Sequence, residues 1–188
     1  PNSHATYYPG ATQFSLKLIF DPQSGEILGA QGVGRDGVDK RIDVIATALR
    51  SGITAPALAD LELAYAPPFG SAKDPVNMLG YIAENVITGI TEIAQWNELD
   101  KYKTDSYSFV DVRSESEFAN GTIPGSVNIP VDELRERHTE IKNKKVIINC
   151  QVGQRGHVAT MLLRSMGYDA KNLDGGYLTW INSPAGRK

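Results

Sequence analysis

Lys145-Val-Ile-Ile-Asn-Cys-Gln-Val-Gly-Gln-Arg-Gly156 decides the fold. Lys145 to Ile148 is a short, nearly continuous apolar run of β-formers, the signature of a strand buried on both faces. It runs through Asn149 into Cys150, the single cysteine of the chain. A glycine-punctuated loop follows, and then a helical pattern over 155–166 with Val158, Met161, Leu162 and Leu163 on or near one face. Cys150 therefore belongs at the carboxyl end of a parallel strand, the edge at which open α/β sheets hold ligands. Gly153 and Gly156 let the loop curl so that backbone N–H groups of Gln151, Val152, Gly153, Gln154, Arg155 and Gly156 can cradle an anion at a helix N-terminus. A thiolate or persulfide is stabilised there, and Arg155 adds a fixed positive charge that makes the pocket basic.

Outward from this loop, Tyr107–Val112 reads as a strand, with shorter strands at Val127–Ile129 and Ala170–Leu173. Helical stretches at Glu115–Asn120, Asp132–His138 and Tyr177–Asn182 lie between and after them. Strands alternating with helices predict an α/β domain, a parallel sheet flanked by helices. The first half reads differently. Residues 12–20 alternate as a strand, Asp21-Pro-Gln-Ser-Gly25 is a turn, and Ile27–Val33 returns as the second strand of a hairpin. Ile42, Ile45, Ala46 and Leu49 mark a helix over Val38–Leu49, ended by Ser51-Gly52. Prolines break up 53–74, and Pro75 opens a helix to about Ile87. That half is expected to be α+β with antiparallel strands.

Composition excludes several classes. With 41% hydrophobic and 22% charged residues and a net charge of −3, the chain is an ordinary globular one with no nucleic-acid or membrane signature. No long apolar run or signal peptide is present, so a cytoplasmic location is expected. One cysteine excludes an internal disulfide and a thiolate zinc site. His4, His138 and His157 share no ligand spacing, so no metal is expected. Pro1 in place of Met suggests a piece of a longer protein. Gly32-Val-Gly-Arg-Asp-Gly37 fits a dinucleotide-binding pattern, but it follows a hairpin, and no second strand ending in an acidic residue comes after it. Its glycines are assigned to turns and close packing.

Two chemistries use a cysteine loop closed by arginine. Four residues separate Cys150 from Arg155. Phosphatases and arsenate reductases of related design use a larger loop sized for the oxyanion, and the shorter loop suits a sulfur atom. A structural cysteine at a strand end is the plainer alternative, and it leaves the glycines and Arg155 unexplained.

Several further motifs stand in order around the loop: Phe109-Val-Asp-Val-Arg113, Glu117-Phe118, Gly121-Thr-Ile-Pro-Gly-Ser-Val-Asn-Ile-Pro130 and Asn172-Leu-Asp-Gly-Gly-Tyr-Leu-Thr-Trp180. Together with the loop they resemble a complete rhodanese homology domain over 91–185. The resemblance implies sulfur transfer, with Cys150 as nucleophile and Gln151 to Gly156 as the anion-binding loop. Asp111 and Arg113 match the family's Asp-x-Arg, where Asp111 orders neighbouring loops. Thr122 stands where the family usually has histidine, which implies a local hydrogen-bond change. His157, directly after the loop, is a candidate base or a solvent-facing residue.

In the first half, His4-Ala-Thr-Tyr-Tyr-Pro-Gly10, Asp21–Gln31 and Tyr65-Ala-Pro-Pro-Phe-Gly-Ser-Ala-Lys-Asp-Pro-Val-Asn-Met-Leu-Gly80 resemble the dimerisation domain of FAD-dependent pyridine nucleotide-disulfide oxidoreductases over 1–88. The nearest branch holds coenzyme A-disulfide reductases and NADH-dependent persulfide reductases, some of which end in a rhodanese domain. This implies a homodimer whose Tyr7 and Tyr65 contribute to the partner subunit's active site. It also implies FAD, NADH and coenzyme A for a full-length protein, with none of the three held by this chain. Thiosulfate, persulfides and polysulfides are the implied donors, and small thiols such as coenzyme A the acceptors. A non-catalytic dimerisation and docking module is the remaining alternative.

Overall fold

The structure, a computed structural model, describes residues 1–187 and divides into two compact units, Pro1–Gly89 and the segment from Ile90 onward.

In the first unit, β1 (Phe14–Phe20) and β2 (Ile27–Gly34) form an antiparallel hairpin. Asp21 makes the turn: its carboxylate accepts the backbone N–H groups of Gln23 and Ser24 at 2.7 and 2.9 Å. Helix α1 (Val38–Arg50) packs on β2, and α2 (Pro75–Ile87) packs on the proline-broken segment, which forms a short 3-10 turn at Pro56–Asp60. Asp74 caps α2 by accepting the Val76 N–H, and Asn77 returns the bond to the Asp74 N–H. The Asn77 amide also donates to the carbonyls of Leu58, Ala59 and Leu61, which pins the irregular chain onto the helix. The buried Arg41 of α1 grips the same Asp74 at 2.8 Å. Ile27, Ile45, Leu58, Val76 and Ala83 form the core beneath. The glycines of the Gly32–Gly37 stretch serve this packing. A side chain at Gly32 would overlap Val38, one at Gly34 would overlap Phe14, and Gly37 takes a left-handed φ of +70° just before α1.

The second unit is a five-stranded, fully parallel sheet in the order β3-β7-β6-β4-β5. Along the chain run β3 (Ile93–Ala94), α3 (Leu99–Tyr102), β4 (Tyr107–Asp111), α4 (Glu115–Ala119) and β5 (Ser126–Asn128). They are followed by α5 (Leu134–Arg137), β6 (Lys145–Asn149), α6 (Gln154–Ser165), β7 (Asp169–Leu173) and α7 (Gly176–Asn182). Central β6 is buried on both faces. Val146, Ile148 and Cys150 join one core with Val110, Leu134, Ala159 and Leu163, and Ile147 joins another with Leu99, Phe109, Ile123 and Trp180.

The sequence reading expected neither β3 nor α3, and two further helices differ from expectation. β3 is too short to show a period in sequence; its pairing with β7 creates it. The helix expected over Asp132–His138 shrinks to Leu134–Arg137, with a 3-10 turn after it. On α6 the buried face is Gly156, Ala159, Thr160 and Leu163, while Val158 and Met161 are exposed. Small residues take the inner face there because the helix begins hard against the strand-end loop. Among the described residues, no helix is long and apolar enough to cross a membrane.

Candidate active site

Cys150 lies one residue past β6, only 1% exposed, and its sulfur accepts the Gly153 N–H at 3.1 Å. The loop closes on itself through Gly153, whose φ of +109° turns the chain into α6. The Gly153 carbonyl accepts both the His157 N–H and the Asn172 side-chain amide. From the other side, the first turn of α7 clamps the loop: Tyr177 N–H donates to the Cys150 carbonyl at 2.7 Å, and Leu178 N–H to the Gln151 carbonyl at 3.0 Å. Gly176 permits that approach, since a Cβ there would sit 2.5 Å from the Cys150 carbonyl oxygen.

A second layer comes from the end of β4. Asp111 is fully buried and accepts from the Arg113 backbone, from the Arg113 guanidinium at 2.7 Å and from the Thr122 hydroxyl at 2.9 Å. Thr122 thus supplies a donor to Asp111. Arg113 spends its remaining donors on the Gly121 carbonyl and the Gln151 side chain, and lies over the Tyr177 ring at 4.1 Å. It therefore ties the Gly121 turn, the cysteine loop and α7 together, which is more than a plain salt bridge.

Arg155 corrects the expected basic pocket. Its two terminal nitrogens each donate at 2.7 Å to the two carboxylate oxygens of Glu117. This pair holds the Glu117 carboxyl down at about 2 and raises Arg155 above its ordinary range, with the Cys150 sulfur a smaller influence on Arg155. The positive charge beside the cysteine is matched by a carboxylate, because α4 carries Glu117 across to α6. The sequence reading assigned Glu117 no role. A signal was present in Ser114-x-x-Glu117: Ser114 caps α4, and its N–H and hydroxyl both donate to Glu117.

The structure brings together Cys150, Gln151, Gly153, Arg113 and Asp111, with Arg155 alongside. His157 pairs through Nδ1 with the Thr91 hydroxyl at 2.7 Å. Val152 and Gln154 are exposed, and Gly156 is buried at the start of α6. Tyr7 and Tyr65 belong to the first unit. Their hydroxyls are 2.5 Å apart beside a depression of about 290 Å³ that Lys73 and His4 also line. The bond from Tyr7 pushes the Tyr65 phenol above its usual range. Among the described residues, no three His, Cys, Asp or Glu side chains converge as a metal site.

Residues 1–75 match the pyridine nucleotide-disulphide oxidoreductase dimerisation domain, and residues 94–183 match the rhodanese-like domain. The chain is 48% identical over 84 residues to coenzyme A disulfide reductase of Staphylococcus haemolyticus, covering 45% of this chain and 19% of that protein. It superposes on the structure of reduced Bacillus anthracis CoADR-RHD with a TM-score of 0.93 and 51% identity, covering 96% of this chain and 33% of that one. An NAD-dependent persulfide reductase from A. fulgidus matches with a TM-score of 0.84 and 40% identity, over 96% of this chain and 32% of the other. The chain thus spans about a fifth of the curated relatives' length and about a third of these structures.

Proposed function

Since the chain joins a pyridine nucleotide-disulphide oxidoreductase dimerisation domain to a rhodanese-like domain, we propose that it is the sulfur-carrying part of a coenzyme A-disulfide or persulfide reductase. In this reading residues 1–88 pair two copies and residues 91–185 carry sulfur on Cys150. The observation that supports it most is the placement of that thiol. It sits at the carboxyl end of the central strand, bonded by a loop N–H, in a loop clamped by α7.

The chemistry is two thiol exchanges. The Cys150 thiolate attacks the sulfane sulfur of a donor; the donor's S–S bond breaks, and its thiolate leaves and takes up a proton. The Cys150 persulfide then rests in the loop, where the Gly153 N–H is a ready donor to its charge. An acceptor thiolate, with coenzyme A a fitting one, attacks the outer sulfur and the Cys150 thiolate departs. Arg113 and Asp111 position the loop through Gln151 and the Gly121 turn, and touch no reacting atom. Tyr7 and Tyr65 would present a phenol pair to the partner subunit's site. FAD and NADH belong to the full-length protein in this reading. The Gly32–Gly37 stretch is spent on hairpin packing and does not fit a dinucleotide.

Intact-mass measurement after glutathione persulfide, and then after cyanide, tests this. The expected result is a gain of one sulfur atom that cyanide removes as thiocyanate, absent in Cys150→Ser. A folded protein that gains no sulfur from persulfide or thiosulfate would sink the proposal and leave a docking module.

A further inference from the structure

We propose that Asn172 is a positioning residue for the cysteine: its side-chain amide anchors Gly153 to the sheet, so that the Gly153 N–H is held on the Cys150 sulfur. The role rests on the sulfur-transfer reading of Cys150 and deepens it; Asn172 itself touches no reacting atom.

The N–H that meets the sulfur, at 3.1 Å, belongs to Gly153, a residue with no side chain to limit its torsions. Its left-handed φ of +109° is therefore fixed from outside. The Gly153 carbonyl is the handle. It accepts the His157 N–H at 2.8 Å, the first helical bond of α6, and the Asn172 side-chain N–H at 3.1 Å. The His157 bond belongs to α6 and moves with it. The Asn172 bond belongs to the sheet. Asn172 lies on β7, pairs in register with Ile148 of β6 and donates its backbone N–H to the Glu92 carbonyl. Cys150 follows the end of that same β6. Thiol and loop donor are thus each tied to one of two adjacent, hydrogen-bonded strands, and the sheet sets the distance between them.

The other end of the amide shows that packing alone does not account for it. Asn172 is only 8% exposed, and its Oδ1 is buried with no hydrogen-bond partner among the described residues. That oxygen lies against Gly156, where a Cβ would overlap it. A buried amide with one end unpaired costs stability that a leucine of the same shape would not. The unpaired oxygen and Gly156 are both accounted for when the site needs the N–H at the far end. With that N–H on the Gly153 carbonyl, the oxygen turns toward α6, and glycine leaves it room. An anion formed at Cys150 then meets a donor that is already aimed and does not have to reorient.

The test is the ultraviolet thiolate absorbance of Cys150 against pH, taken in the whole chain as the difference from Cys150→Ser. Wild type, Asn172→Leu and Gly156→Ala are compared, with thermal melts and circular dichroism beside them. Leu keeps the branched shape and removes the donor. Ala at position 156 keeps Asn172 and pushes its amide off the carbonyl. Both variants are expected to move the midpoint of thiolate formation up by about one pH unit, and to slow sulfur gain from glutathione persulfide near neutral pH about fivefold. Asn172→Leu is expected to melt no lower than wild type. An unmoved midpoint in natively folded Asn172→Leu overturns the proposal. If that variant is not native, an unmoved midpoint in Gly156→Ala overturns it. Loss of the native fold in both makes Asn172 a structural strut, which overturns it as well. A midpoint that moves in protein that gains no sulfur supports the positioning of the thiolate and is a failure of the sulfur-transfer reading alone.

Discussion

Glu117 closes the capping box of α4 and holds Arg155 with the same carboxylate. Its carboxyl is lowered to about 2, first by the Arg155 hydrogen bonds and then, against some burial, by the Ser114 contacts. A folded value below the unfolded one means the carboxylate stabilises the fold above about pH 4.5, and that this contribution is lost as pH falls toward 2. Arg155 and Glu117 keep 37% and 33% of their side-chain surface in water, so screening limits the worth to about 1 kcal/mol. Thermal melts of wild type and Glu117→Gln between pH 7 and pH 2 should therefore show a stability gap that closes on acidification. A gap that stays constant with pH would mean the ion pair contributes nothing through its charge. At this scale the sequence showed the nucleophile candidate and its arginine, because both sit in one short loop. It did not show which carboxylate meets the arginine, since 38 positions separate the two residues and only the sheet brings them together.

The element that matters most to the loop is α7. The N–H groups of its second and third residues, Tyr177 and Leu178, lie in the first turn and donate to the carbonyls of Cys150 and Gln151. Gly176 makes this possible, with a φ of +61° and a peptide of the cysteine loop where a Cβ would be. Gly176→Ala should cost about 1–3 kcal/mol in thermal unfolding and slow sulfur gain at Cys150. Gly52→Ala shares the left-handed backbone, φ +71°, but meets only open space, so it serves as the comparison and should cost less. Equal losses would mean that backbone strain, and not the close approach, governs Gly176. Helices α1 and α2 were legible from apolar spacing and from Pro75, because their inner faces meet a core of ordinary side chains. The face of α6 was not, because small residues serve the close contact and leave Val158 outside.

At the scale of the molecule, the first unit exposes Leu28, Val33 and Phe69, a large amount of apolar side chain for a surface. With the dimerisation family matching residues 1–75, a second copy of the chain is the proposed cover. Sedimentation velocity at micromolar concentration should then give about twice the mass of one chain. A monomer at every concentration reached would remove the proposal that this chain pairs by itself.

Local order was written in the chain. The hairpin, the parallel strand–helix alternation and the cysteine at a strand end all follow from periodicity and from where glycine and proline stand. Such signals act between near neighbours. What the tertiary structure alone decided is the charge state of the site. Arg155 reads as a free cation in sequence, and α4 brings Glu117 to meet it. Arg113 reads in sequence only as the end of an Asp-x-Arg motif, and the fold turns it into the tie between Gly121, Gln151 and Tyr177. Electrostatic partners are chosen by distance in space, and the parallel sheet sets those distances by stacking strands far apart in the chain.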